Sequence, residues 1–318
     1  MYRHPAFPDQ VYVELTNTCN ARCTICATPT MSRKRQIMDF DLFRKIIDEC
    51  GQRRAFRILP FLHGETLLVP GVLDYFRYIR RVSPHSHINL TTNGSKLTGE
   101  IAGPILKEDL LDSLILSVEG ADPQTYERIR SGLRFEEVRN NFLQFLERRR
   151  QLGKTKPHLS VAMVVIDENR SGKREFAEMW KGADEVRYSL FFNWAGKLNR
   201  EDHRSKNRLN FCERLYHYVT ILADGRVALC CFDSDGEYIL GDIRNQTIEE
   251  VWHSKEFVQI RKKLYDRKFD QLHLCSRCDY IRHPAWLSAI ARLRPYVQRR
   301  LPGLANVMDG IYKKWTSH

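Results

Sequence analysis

The 318-residue chain predicts an α/β fold: a partial (β/α)6 TIM-like barrel, then a small cysteine-rich domain and a basic C-terminal helical tail. Three observations predict it. Strand-like apolar runs alternate with amphipathic stretches over the first two thirds. The alternation stops near Leu209, where short strands, a tight turn and clustered cysteines begin. Beyond Arg282, apolar residues recur at helical spacing between arginines. The corresponding ranges are 1–200, 201–282 and 283–318.

Gln10–Thr16 reads as the first strand, with Val11 and Val13 alternating with Tyr12 and Glu14. Arg57–His63, His87–Thr92, Asp112–Glu119, His158–Ile166 and Glu185–Phe192 read as the next five. Helical periodicity falls on Asp39–Cys50, Val72–Arg81, Gly99–Lys107, Phe135–Gln151 and Gly172–Trp180. Such alternation builds βαβ units and a parallel sheet, and fewer than eight units leave the barrel open. Ligands then sit at the carboxyl ends of the strands, so the loop after Thr16 lies on the functional edge. Later, Tyr218–Leu222 and Arg226–Cys230 flank Asp224-Gly225, a hairpin signal, and Thr247–Leu264 reads as one helix.

Composition is that of a folded protein, 42% hydrophobic and 28% charged. No apolar run reaches bilayer length, and the first residues do not read as a signal peptide. A cytoplasmic location is expected. The net charge of +12 favours an anionic partner. The stretch from Arg282 to His318 carries seven Lys or Arg and one acid, half of that charge. With Trp286, Leu287, Ile290, Leu293 and Tyr296 interleaved, it suits either a helix on an anionic membrane surface at the inner face or one packed on the barrel. No nucleic-acid motif is present, and no nucleic-acid partner is expected.

Nine cysteines fall into one group at 19–26, another at 212–278, and Cys50 alone, read as a core thiol. Short spacings without an export signal favour metal ligation over disulfides. Cys19-x3-Cys23-x2-Cys26 cannot close a tetrahedral site by itself. It can hold three irons of a four-iron cluster and leave one open. A zinc site completed from a distance, or three unrelated thiols, are the alternatives. Cys212, Cys230, Cys275 and Cys278 form a closed set of four, which by ligand count suits structural zinc.

The triad after a first strand resembles the radical S-adenosylmethionine (SAM) superfamily. Other family elements follow in register. His63-Gly64-Glu65-Thr66 resembles the motif that binds the methionine amino group. Thr92-Asn93-Gly94 resembles the segment near the SAM ribose, and Ser117-Val118-Glu119-Gly120 the Ser-x-Asp-Gly element. Arg130 matches the arginine that helps hold the SAM carboxylate. Ile25 stands where the family has an aromatic residue, and His63, Thr66 and Glu119 also depart from the pattern. The resemblance implies reductive cleavage of SAM to a 5′-deoxyadenosyl radical, and an electron from an external donor such as flavodoxin or ferredoxin.

Gly225-x4-Cys230-Cys231, Leu240-Gly241-Asp242-Ile243 and Ile248-Glu249-Glu250-Val251-Trp252 resemble SPASM domains. With no cysteine after Cys278, the resemblance is to the shorter "twitch" form with a single auxiliary four-iron cluster. The implied cofactors are two 4Fe–4S clusters and SAM. The implied activity is oxidation, through the auxiliary cluster, of a hydroxylated small molecule: a sugar, aminoglycoside, cyclitol, or phosphorylated, nucleotide- or lipid-linked sugar. Cys231, beside a ligand, reads as a strand residue turned away or as the hydrogen-atom donor of an epimerase. A peptide-modifying enzyme is a further alternative, and a zinc- or cluster-binding interaction protein is the non-enzymatic one. Arg187, Tyr188, Asn193 and Lys197 are candidate substrate contacts, and His63 a candidate SAM contact or general base.

Overall fold

The computed structural model describes residues 4–199 and 212–280. The expected tail, with its membrane-facing alternative, lies outside the described residues.

Six strands pair in parallel in chain order: β1 (Gln10–Val13), β2 (Arg57–Leu59), β3 (His87–Thr92), β4 (Ser113–Ser117), β5 (His158–Val165) and β6 (Glu185–Leu190). On the other side of β1, β7 (Tyr218–Ile221) joins in parallel. The antiparallel strands β8 (Arg226–Ala228) and β9 (Ile239–Asp242) follow it. The sheet order is β9-β8-β7-β1-β2-β3-β4-β5-β6. It is the mixed α/β, mostly parallel architecture of a partial TIM barrel. The cysteine-rich hairpin is built onto the same sheet through β1. Gly225 (φ +88°) takes the left-handed turn position between β7 and β8 that favours glycine.

Alternation decides which side chains meet the helices. Val11 and Val13 are fully buried in the core, to which α1 (Phe40–Gln52) contributes Phe43, Ile46, Ile47 and Cys50. Tyr12 and Glu14 point to the other, concave side. Asp39 starts α1 by accepting from the Asp41 and Leu42 amides. Helices α2 (Val72–Val82), α3 (Gly99–Lys107), α5 (Phe135–Gln151) and α6 (Lys173–Met179) match the expected periodicities.

Three expectations are corrected. The first two strands end three or four residues early, at Val13 and Leu59, and Glu14–Thr16 and Pro60–His63 leave the ladder to build the site. The predicted helix Thr247–Leu264 is two helices, α8 (Ile248–Trp252) and α9 (Lys255–Tyr265). Ser254 breaks it by capping the Phe257 amide. Helix α4 (Pro123–Ile129), capped by Asp122, is too short to show periodicity in the sequence. Two further short helices, α7 (Arg214–His217) and α10 (His273–Arg277), flank the second cysteine set. Among the described residues, no helix is long and apolar enough to cross a membrane.

Candidate active site

The three-cysteine loop leaves β1 and is closed by polar bonds at its base. Asn17 Nδ2 donates to Lys34 O at 2.8 Å, and the Gln36 amide donates to Asn17 Oδ1 at 2.8 Å. Arg35 donates to Asn17 O and Thr28 O, both at 2.6 Å. Inside the loop, Arg22–Cys23 pairs antiparallel with Arg130–Ser131. Burial pushes the Cys23 thiol up to about 12, with Arg130 opposing, and Cys26, Glu119 and Cys19 adding to the rise. Cys19 is raised chiefly by burial and in part by Glu65 and Cys26. Cys19 and Cys23 are thus held against ionisation beside the third cysteine of the loop. A cationic metal centre relieves that, and the all-sulfur donor set fits an iron–sulfur cluster.

The expected SAM residues surround this loop at the strand ends. Gly64 packs so closely that a Cβ there would lie 2.3 Å from Thr16 O and 2.7 Å from Thr18 O. Gly64→Ala is therefore expected to cost about 1–3 kcal/mol in thermal unfolding and to lower iron incorporation. Glu65 is buried and turned inward. Its carboxylate accepts from Thr92 Oγ1 and the Asn93 amide at 2.7 Å, and from the Leu67 amide at 3.1 Å. Asn93 Nδ2 donates to Asn20 Oδ1 at 3.0 Å, and Asn20 Nδ2 to Ser95 Oγ at 2.9 Å. The end of β2 is thus braced through the end of β3 to the cysteine loop. Ser117 ends β4, and two residues on, buried Glu119 pairs with Arg130. Asn169 Nδ2 holds Glu119 O at 3.0 Å.

Ile25 packs with Ile129, Ile166 and Phe191 in a small apolar cluster against Cys23. Trp194 Nε1 donates to Ile25 O at 2.9 Å. Sequence reasoning missed Ile166 and Phe191. Each is an apolar residue one position past the end of β5 or β6, which is the signal that could have found them.

The second set converges from three segments. Cys212 precedes α7, Cys230 follows β8, and Cys275 and Cys278 lie in and after α10. Burial raises Cys212, and Glu213, Cys275 and Cys278 add to it. Burial likewise raises Cys230, joined by Cys231, Cys278 and Cys275. Burial pushes Cys275 up to about 12, with Cys278 adding to the rise. All nine cysteines are free thiols. Among the described residues, no three His, Cys, Asp or Glu side chains are arranged around a single metal ion.

Cys231 lies in the turn beyond β8 rather than in a strand. Arg214 Nη1 donates to its sulfur at 3.0 Å, and that guanidinium sits 4.7 Å from the Phe232 ring and 4.3 Å from the Tyr280 ring. Burial raises the Cys231 thiol and Arg214 opposes it.

Between the two cysteine sets lies a buried polar hub that the sequence did not announce. Glu14 accepts Arg33 Nη1 and Nη2 at 2.8 Å each and the Ala223 amide at 2.9 Å. His63 Nδ1 lies 2.9 Å from Glu14 Oε1, and His63 Nε2 3.1 Å from Cys231 O. Burial disfavours the Glu14 carboxylate, but the hydrogen bonds from His63 and Arg33 outweigh it and hold the group at about 2. His63 is therefore engaged at both ring nitrogens. Other expected contacts are spent elsewhere. Asn193 bonds Asp279 and Arg277 O, Lys197 pairs with Asp235, and Tyr188 donates to Lys173 O at 2.8 Å. Arg187 Nε lies 3.3 Å from Glu185.

Comparison with known proteins fits this geometry. A radical SAM superfamily model matches residues 13–179, and a SPASM iron–sulfur cluster-binding domain model matches residues 212–279. The tungsten-containing aldehyde ferredoxin oxidoreductase cofactor-modifying protein of Pyrococcus furiosus is 27% identical over 52% of this chain and 46% of its own length. The chain thus spans less than half of that relative. The SAM-dependent 2-deoxy-scyllo-inosamine dehydrogenase of Niallia circulans is 22% identical over 85% of this chain and 92% of its own. The solved structure of BtrN with AdoMet and 2-DOIA superposes with a TM-score of 0.61 at 18% identity, over 85% of this chain and 92% of that one. At that identity the likeness shows the shared fold.

Proposed function

The chain belongs to the radical SAM superfamily, and on that premise we propose that it is an oxidoreductase acting on a hydroxylated small molecule such as a cyclitol, an aminoglycoside or a phosphorylated sugar. The observation that supports the substrate class is the likeness, over 85% of the chain, to a relative named as a SAM-dependent 2-deoxy-scyllo-inosamine dehydrogenase. SAM and iron–sulfur clusters are the cofactors of this enzyme class. When bound, they supply a 5′-deoxyadenosyl radical that takes hydrogen from carbon.

The chain's own residues bind, orient and shield. Cys19, Cys23 and Cys26 would hold the SAM-side cluster, and Cys212, Cys230, Cys275 and Cys278 the auxiliary one. Gly64 lets the end of β2 lie against the loop backbone. Glu65 fixes Thr92 and Asn93 at the SAM edge, while Ser117 and the Glu119–Arg130 pair face the same edge from β4. Arg130 offers the cation a carboxylate needs. Ile25, Ile166 and Phe191 exclude water. An external one-electron donor completes the system. Anaerobic reconstitution, then dithionite and SAM, should yield 5′-deoxyadenosine. Its absence would remove the enzymatic reading.

A second outcome, epimerisation, is favoured by one observation. Cys231 is buried and oriented by Arg214 beside the second cysteine set, and burial keeps the S–H hydrogen on the sulfur. Run in deuterated water with candidate sugars, an epimerase places deuterium on carbon and a dehydrogenase yields a ketone. If Cys231 is the donor, Cys231→Ala should abolish deuterium incorporation while 5′-deoxyadenosine still forms.

A further inference from the structure

The hub of Glu14, His63 and Arg33 does more than fill space between two cysteine sets. Each of its three members also bonds a residue of the auxiliary-side segment. His63 Nε2 reaches Cys231 O at 3.1 Å, and Glu14 takes the Ala223 amide at 2.9 Å. Arg33 Nε donates to Ser234 O at 2.7 Å. Next to it, the Ser32 amide and hydroxyl donate to Asp235 Oδ1 at 2.6 and 2.9 Å. On the other side the hub is tied into the cysteine loop: Thr28 Oγ1 donates to His63 O, and Thr28 Oγ1 is in turn 3.3 Å from Cys26 Sγ.

A backbone carbonyl has no proton to give, so His63 Nε2 is the donor toward Cys231. Cys231 directly follows Cys230, an expected ligand of the auxiliary centre. The His63 side chain is fully enclosed, as is Glu14, so this contact is shielded from water. Glu14 fixes the ring from its other nitrogen, and Arg33 holds Glu14 with two hydrogen bonds. The reduction potential of an iron–sulfur centre depends on net charge, hydrogen bonding and solvent exposure around its ligands. At that place the hub supplies the His63 N–H, while the Glu14 carboxylate behind the ring is balanced by the Arg33 guanidinium that pairs with it.

We propose that His63, fixed by Glu14 and Arg33, is a positioning residue for the auxiliary centre: it locks the Cys231–Phe232 peptide, one residue past the expected ligand Cys230, against the SAM-side loop and raises the potential at which that centre accepts an electron. The inference rests on the assignment of Cys212, Cys230, Cys275 and Cys278 as cluster ligands. It concerns a residue that stands where the family motif has glycine. It therefore describes a device of this chain.

The test is redox titration of the reconstituted full-length protein, followed by electron paramagnetic resonance so that the two centres are read separately. His63→Leu removes both hydrogen bonds. His63→Gln retains an N–H able to reach the Cys231 carbonyl and serves as the conservative variant. The expected result is a lower midpoint potential for the auxiliary centre in His63→Leu, an unmoved potential for the SAM-side centre, and recovery in His63→Gln. Unmoved potentials at both centres, equal shifts at both, or no recovery in His63→Gln would each overturn the proposal. If His63→Leu fails to load iron, the comparison of His63→Gln with His63→Asn decides. The Gln side chain should match the parent and the shorter Asn should not, and equal values would overturn the proposal. Absence of a second centre in the parent protein would instead defeat the ligand assignment, which separates that failure from this one.

Discussion

Glu14→Ala is expected to destabilise the protein by about 3–5 kcal/mol, the range for removing one partner of a buried ion pair. The carboxylate is fully buried, and it accepts from Arg33, His63 and the Ala223 amide. Alanine takes their acceptor from the two Arg33 Nη groups, His63 Nδ1 and the Ala223 amide in a place water does not reach. The pH dependence runs the same way. The folded group titrates at about 2 against an ordinary value of 4.5. Its stabilisation is therefore complete above about 4.5 and is lost as pH falls toward 2. A shift of that size corresponds to roughly 3 kcal/mol. Denaturant unfolding at neutral pH and at pH 3 should show the variant nearer to the parent in acid. An unchanged gap would mean that Glu14 is not held ionised.

Cys23→Ala is expected to abolish reductive SAM cleavage, with 5′-deoxyadenosine below detection. Cys23, proposed as a ligand of the SAM-side cluster, has its backbone fixed by the short strand pairing with Arg130–Ser131. Two remaining thiolates cannot retain a cluster built on three. Iron should fall by about four per chain, while the iron held by the second set remains. Loss of all iron would show that the two sets load as one unit.

The parallel sheet was legible in the sequence because strands buried on the helix side are apolar at alternate positions and the helices repeat at 3.6. The cysteine sets were legible because thiolate spacing survives any folding detail. Less was visible where the chain leaves regular structure. Helix α4 has seven residues and no periodicity to read. The continuity of β7 with β1 joins residues some 200 positions apart, and no local pattern encodes it. The Glu14–His63–Arg33 hub was hidden for the same reason. Glu14 read as one polar step in an alternating strand and Arg33 as one base among many. His63 looked like a residue facing the cofactor, yet its ring nitrogens meet Glu14 and Cys231 O.

The central claim is that two cysteine sets hold two clusters, one of them opening onto SAM. Iron and sulfide counting after anaerobic reconstitution, on the same sample that is then given SAM and dithionite, tests it most directly. About eight irons and eight sulfides per chain are expected, with 5′-deoxyadenosine formed. Zinc in place of iron, or full iron loading with no 5′-deoxyadenosine, would contradict it.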